Sequence, residues 1–204
     1  MMKILVTGIG GNVGQGILRN IISLNFDIKL IGVDINSFTP GNHLCAKTYV
    51  VPFSNHENYI PTIVKIIKEE EVDLVLPSTD YEIFFLSKFR NRIKAKIVAS
   101  DPVVAKTYLD KYSTYKYLSK NNIPFAKSWL PEEYDFSEHD IIAKPREGRG
   151  SRGIIINPPN PKNLPVGYMI QPLSKGIEIT TAVYVTKKNK LHGLFSMERK
   201  LTNG

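Results

Sequence analysis

Ile141-Ile142-Ala143-Lys144-Pro145-Arg146-Glu147-Gly148-Arg149-Gly150-Ser151-Arg152-Gly153 is the stretch on which the reading of this chain turns. A short apolar run carries Lys144 to its end. Gly148 to Gly153 then brings together three glycines, two arginines and a serine before a second apolar run, Ile154-Ile155-Ile156. Two strands joined in this way form a hairpin whose tip is flexible, rich in backbone N–H groups and positively charged. Such a tip suits the oxygens of a polyphosphate. An ordinary exposed basic hairpin fits the loop equally well, so the next segment decides between them.

After a Pro- and Asn-containing linker at 157–165 comes Tyr168-Met169-Ile170-Gln171-Pro172-Leu173-Ser174-Lys175-Gly176-Ile177-Glu178-Ile179-Thr180. An apolar strand stops at a proline, crosses a small turn with a glycine, and restarts with Glu178 near its head. Lysine strand, glycine loop, hinge and Gly-x-Glu together resemble the ATP-grasp superfamily, specifically proteins similar to the carbamoyl-phosphate synthase large subunit. That resemblance implies adenine held by the hinge main chain at Gln171 and Leu173. It places the ribose hydroxyls on Glu178 and the phosphates on Lys144, with Gly148, Gly150, Ser151 and Gly153 closing over them. Upstream, Asp110-Lys111-Tyr112 starts a helix to Lys120 that Asn121-Asn122-Ile123-Pro124 ends, and 126–130 reads as a strand. This order is similar to the entry segment of the same family and assigns Lys111 to the phosphates. Beyond Glu178, 178–185 and 191–197 read as a strand pair around the turn Lys187-Lys188-Asn189-Lys190.

The first hundred residues alternate strands and helices. Lys3 to Val6 reads as a buried parallel strand. The turn Thr7-Gly8-Ile9-Gly10-Gly11-Asn12-Val13-Gly14 comes next, and then a helix with Val13, Ile17, Ile21 and Leu24 on its apolar face. A second strand, 29–33, ends in Asp34. Further strands fall at 48–51, 73–76 and 96–99. The helices between them fall at 58–70, with Ile60, Ile63, Val64 and Ile67 inward, and at 81–89. That is βαβ alternation around a parallel sheet. Pro77-Ser78-Thr79-Asp80 sits at a strand's carboxyl end, where such sheets bind ligands, but its polar residues read first as a cap for the next helix.

A rival reading starts from the same turn. Gly8, Gly11 and Gly14 with Asp34 approach a dinucleotide fingerprint, and Tyr112-x-x-x-Lys116 matches the catalytic pair of short-chain NAD(P)-dependent reductases and epimerases. Tyr112 comes early for that family, and no repeating strand–helix units come after it. In a chain with 10 tyrosines this spacing arises readily by chance. A Rossmann-like preliminary domain without nicotinamide is also what the ATP-grasp resemblance implies.

Composition narrows the remaining classes. The 204 residues, 42% hydrophobic and 23% charged, suit a globular protein of one large or two small domains. One cysteine, Cys45, excludes an internal disulfide and reads as a small packed residue, and no Cys/His spacing fits zinc. A formal charge of +8 invites nucleic acid, but the 27 basic residues are scattered among acidic ones without an aromatic-interleaved module. No apolar run reaches the length of a membrane span, which makes the cytoplasm the expected compartment.

The expected fold is therefore α/β. A Rossmann-like pre-ATP-grasp domain with a parallel sheet spans 1–100, and the N-terminal part of an ATP-grasp α+β domain with antiparallel strands spans 101–204. The resemblance implies ATP and Mg2+ as cofactors, and carboxylate and amine small molecules as substrates of an ADP-forming ligase. It gives Lys144 and Arg199 catalytic roles, Arg199 toward the phosphates or the acyl acceptor. The family's metal-binding element, a Glu-x-Asn-x-Arg-like segment, has no counterpart before Gly204. The chain alone is expected to be inactive, with a separately encoded C-terminal part or a second copy as its partner. A fragment that only binds nucleotide is the further alternative.

Overall fold

The computed structural model describes residues 1–148, 150–186 and 188–200. The chain divides into two compact units, Met1–Thr114 and Tyr115–Gly204. In the first, strands β1 (Met2–Thr7), β2 (Ile28–Asp34), β3 (Lys47–Val50), β4 (Leu74–Leu76) and β5 (Lys96–Ile97) form one sheet in the order β3-β2-β1-β4-β5, with every pair parallel. Successive side chains of a strand point to opposite faces, and β1 uses both. Leu5 joins the cluster built with α2 (Tyr59–Glu70), while Ile4 and Val6 join the cluster built with α1 (Asn12–Ser23). From Ile4 to Val6 the strand is apolar because neither face meets water there.

The helices lie close to their expected bounds. Helix α2 buries Ile60, Ile63 and Ile67 as its spacing predicts, with Ile66 beside them. Helix α1 buries Gly14 and Leu18 and packs Ile17 and Ile21 of the expected stripe against the same cluster, while Val13 and Leu24, at its two ends, are more than half exposed. A Cβ on Gly14 would sit 2.4 Å from the Gly8 carbonyl oxygen, so the helix settles on its glycine and Val13 beside it turns out. Helix α3 (Asp80–Lys88) is capped by Thr79, whose hydroxyl accepts from the Glu82 amide at 3.3 Å, as the capping reading of that segment expects. Helix α4 (Pro102–Leu109) is capped by Asp101, and α5 (Lys111–Lys120) comes after it.

In the second unit, β6 (Ile141–Pro145), β7 (Ile155–Ile156) and β8 (Tyr168–Pro172) form an antiparallel sheet in the order β7-β6-β8. One face packs Ile141 and Ile170 against Trp129 and Tyr134. The strand expected at 126–130 reduces to a single bridge, Trp129 with Ile170, because Pro131 opens a 3-10 turn directly afterwards and ends the pairing. Strands β9 (Ile179–Val185) and β10 (Leu191–Glu198) form a separate two-stranded antiparallel ribbon, exposed along its whole length. This succession of a parallel five-stranded sheet and antiparallel sheets is the α/β fold expected from the sequence. No helix of the described residues is long and apolar enough to cross a membrane.

Candidate functional site

The sheet β7-β6-β8 places the lysine and the hinge. Its register pairs Lys144 with Met169 and Ile142 with Gln171, so these four side chains share the face opposite the Trp129 cluster. Lys144 is half-buried near the end of β6. Gln171 is 5% exposed, and its side-chain amide donates to the Ser128 hydroxyl at 2.7 Å. A buried amide of this kind needs such a partner. Ser128 is a support that the sequence reading missed; its signal is a single hydroxyl inside a segment whose pattern reads as a strand. Lys144 stands three positions along β6 from Ile141, which pairs with Pro172 at the hinge. At strand rise this is about 10 Å.

The glycine loop leaves from the lysine end. The Arg146 amide donates to the Gly167 carbonyl at 2.8 Å, which fixes the loop's departure. Gly150, Ser151 and Gly153 hold φ of 64°, 55° and 73°. Left-handed residues of this sort turn backbone N–H groups into a concavity that accepts anions. At the far end Gly153 folds back on the sheet, where a Cβ would meet the Tyr168 hydroxyl at 2.8 Å and Pro145 at 3.1 Å. Gly148 and Gly150 stand exposed at the tip. Arg149, one of the two loop arginines, lies outside the described residues, as do Lys187 of the ribbon turn and residues 201–204.

The hinge leaves from the opposite end. The Leu173 amide donates to the Asp140 carbonyl at 2.8 Å, one step beyond the β6–β8 ladder. Any adenine contact at Leu173 therefore falls to its carbonyl or side chain, which narrows the main-chain role assigned to it. Asp140 also pairs with Lys175 at 2.7 Å, and that hydrogen bond holds its carboxyl below the usual range. Glu178 sits at the mouth of the ribbon. Its Oε1 takes an N–H of Arg199 at 2.7 Å, and its carbonyl takes the Arg199 amide at 2.7 Å. Arg199 is thus placed on the carboxylate assigned to ribose.

The remaining candidates belong to the first unit and to α5. Lys111 opens α5, behind Asp110, whose carboxylate accepts from the amides of Tyr112 and Ser113 at 2.9 and 3.2 Å. The nicotinamide reading finds its residues otherwise engaged. Asp34 closes onto the turn itself, accepting from the Gly10 amide at 2.8 Å and the Asn36 amide at 3.1 Å. Tyr112 is buried, 8% exposed, with Lys116 exposed. Among the described residues, no group of three or more His, Cys, Asp or Glu side chains is placed to hold a metal ion.

Comparison with known proteins bears on both units. Residues 4–100 match the family model described as PylC-like, N-terminal domain, and residues 108–203 match the ATP-grasp domain model. No curated protein sequence matches the chain. Among solved structures, the chain resembles N5-carboxyaminoimidazole ribonucleotide synthetase from Thermotoga maritima at 20% identity and a TM-score of 0.68, over 97% of this chain and 53% of that one. The ADP complex of N5-carboxyaminoimidazole synthetase from Staphylococcus aureus matches at 13% identity and TM-score 0.71, over 99% and 56%. L-amino acid ligase from Bacillus licheniformis matches at 11% identity and TM-score 0.72, over 100% and 52%. The likeness is one of fold, and the chain spans about half the length of these structures.

Proposed function

We propose that this chain is the ATP-binding portion of an ATP-dependent, ADP-forming carboxylate–amine ligase. The observation that carries the reading is the β6–β8 register. It puts Lys144 on one face with Gln171, about 10 Å along the strand from the hinge. An extended nucleotide separates its adenine from its outer phosphates by a comparable span. The ATP-grasp match over 108–203 supports the same assignment. The finer likeness, to the carbamoyl-phosphate synthase large subunit, rests on the order of Lys144, the glycine loop, Gln171–Leu173 and Glu178.

In this reading Lys144 and Lys111 neutralise phosphate charge, and Gly148, Gly150, Ser151 and Gly153 shield the phosphates from water. Gln171 and Leu173 border the adenine, and Glu178 receives the ribose hydroxyls. The γ-phosphoryl group passes to a substrate carboxylate and ADP departs. An amine then attacks the acyl carbon, forming the C–N bond as phosphate leaves. The protein's part is positioning and charge neutralisation. Mg2+ needs oxygen ligands shared with the phosphates. Among the described residues no group of three or more acidic, His or Cys side chains is placed to hold the ion, so no ligand of this chain is assigned to it.

Thermal unfolding of the chain with Mg-ATP and with NADH, side by side, tests the proposal. Ligand at a hundred times its dissociation constant stabilises by about 2.7 kcal/mol, a rise of roughly 5–10 °C for a chain of this size. A rise with Mg-ATP alone is expected. A rise with NADH alone would return the assignment to Gly8, Gly11, Gly14 and Asp34. No rise with either would leave a fold without a working nucleotide site.

A further inference from the structure

The Glu178–Arg199 pair closes the open end of the ribbon. Glu198 is in register with Ile179, so the next rung sets Arg199 opposite Glu178, and the Arg199 amide donates to the Glu178 carbonyl at 2.7 Å. Side chains directly opposite in an antiparallel pair stand on the same face. Here they meet, guanidinium to carboxylate, at 2.7 Å. Both side chains remain about half exposed, 46% for Arg199 and 51% for Glu178. A surface pair of this kind adds little to stability. Its backbone bond, however, fixes where the guanidinium stands, and the guanidinium holds one carboxylate oxygen, Oε1. The other, Oε2, is left as an acceptor whose direction is set.

We infer that Arg199 is the positioning residue of the ribose subsite: it pins Glu178 so that the carboxylate discriminates nucleotides carrying 2′ and 3′ hydroxyls from those lacking them. The inference rests on the proposal that Glu178 receives the ribose. It moves Arg199 from the phosphates or acyl acceptor to the opposite end of the nucleotide. An unpinned glutamate half exposed at a strand's start samples several rotamers and must be ordered each time a ligand binds. Ordering one such side chain in advance is worth roughly 2- to 10-fold in affinity. That gain reaches only a ligand that touches Glu178. Arg199 therefore affects selectivity rather than binding in general, a signature that a merely structural role does not give.

The test is calorimetric titration of the 204-residue chain with Mg-ATP and with the Mg complex of 2′,3′-dideoxyadenosine triphosphate. The parent, Arg199→Ala, Arg199→Lys and Glu178→Gln are compared, each checked for an unchanged melting profile. The parent should prefer ATP. Arg199→Ala and Glu178→Gln should each lose most of that preference while keeping the parent's affinity for the dideoxy nucleotide, and the double variant should lose no more than either alone. Arg199→Lys should fall between, because its ammonium attracts the carboxylate without the fork that fixes it. Should Arg199→Ala fail to fold, the lysine variant decides, and a parent-like preference in it overturns the inference. Equal weakening of both nucleotides in Arg199→Ala overturns it too, leaving the nucleotide site standing. A parent that binds both nucleotides equally removes Glu178 from the ribose. A parent that binds neither removes the nucleotide reading itself.

Discussion

The turn after β1 and the loop after β6 both come directly after an apolar strand and both are rich in glycine, yet Gly10 and Gly14 of the first sit in surroundings opposite to those of Gly150 in the second. At the first two, a side chain has nowhere to go. A Cβ on Gly14 would lie 2.4 Å from the Gly8 carbonyl oxygen, and one on Gly10 would lie 3.1 Å from the Asp34 carboxylate and from Thr39. Glycine there lets a helix, a strand end and a loop touch. In the second, a Cβ on Gly150 would find nothing within 4 Å, and what glycine supplies is backbone with φ of 64°. One turn is a packed joint and the other an open, positively charged arc. A glycine pattern therefore points to a ligand only when its surroundings leave room for one, which is why the phosphate assignment rests on the loop after Lys144.

The sharpest way to break this contrast is Gly14→Ala. The added methyl meets the backbone of Gly8 and Ile9, with the Gly8 carbonyl carbon and the Ile9 Cα at 2.9 Å, so relief requires the helix to lift from that turn. Overpacking of this kind costs about 3 kcal/mol. Thermal unfolding should show a midpoint lower by roughly 6–12 °C. An unchanged midpoint would mean that the turn is no joint. Lys144→Ala probes the other region by a different readout. Loss of a charge-assisted hydrogen bond to phosphate should weaken Mg-ATP by about 10- to 100-fold in calorimetry. The midpoint of the nucleotide-free chain should move much less than for Gly14→Ala, since Lys144 sits only half-buried near a strand end. Parent-like affinity would remove Lys144 from the phosphates.

How far the sequence anticipated this division depends on which forces decide each element. The strands at β1, β2, β6 and β8 were legible because their apolar runs are the ones the sheets bury, and the order of parallel and antiparallel sheets came with them. The face of α1 was legible only in part. Ile17 and Ile21 of its expected stripe pack against the core, but Val13 beside Gly14 and Leu24 at the end stand out, and periodicity carries no term for the absent side chain that lets Gly14 meet Gly8. The strand expected at 126–130 failed through its neighbour: Pro131 turns the chain after one bridge. Within the candidate site, Lys144 and Gln171 were named through the family resemblance that the order of strand, loop and hinge carries. Three features could not, because each partner is remote in sequence. These are the Ser128 support of Gln171, the Asp140 carbonyl that takes the Leu173 amide, and Arg199 on Glu178, which are 43, 33 and 21 positions apart.

A remote cluster of the same kind gives the first unit its pH dependence. Glu70, 7% exposed at the end of α2, accepts from Lys47 and Tyr49 at 2.5 Å each and from Lys29 at 2.9 Å. These hydrogen bonds, the one from Lys47 foremost, hold its carboxyl down to about 2 from an ordinary 4.5. With the folded pKa depressed, the stabilisation is complete above the unfolded value. It drains away as pH falls from about 4.5 toward 2. Glu70→Gln should therefore lower the thermal midpoint at neutral pH by a few degrees, with the gap from the parent narrowing across that acid window. Gly150→Ala removes no ionisable group, so its gap from the parent should stay constant over the same range. A gap for Glu70→Gln that stays constant from neutral pH down through that window would show that the side chain acts through shape rather than charge.

The smallest effect is expected where the comparison makes its finest distinction, at Gly150→Ala. A methyl here clashes with nothing, so only the left-handed backbone opposes it, at about 1 kcal/mol for a non-glycine residue. An exposed tip can lower even that by shifting φ. The nucleotide-free midpoint should fall by no more than roughly 3 °C, well short of the change expected for Gly14→Ala. Mg-ATP affinity should drop by a few-fold, because relaxing φ turns a backbone N–H away from the phosphates that the arc is proposed to hold. The two readouts separate the explanations. Lost stability without lost affinity would make the loop a structural turn with incidental charge. Lost affinity without lost stability is what an arc shaped for an anion requires.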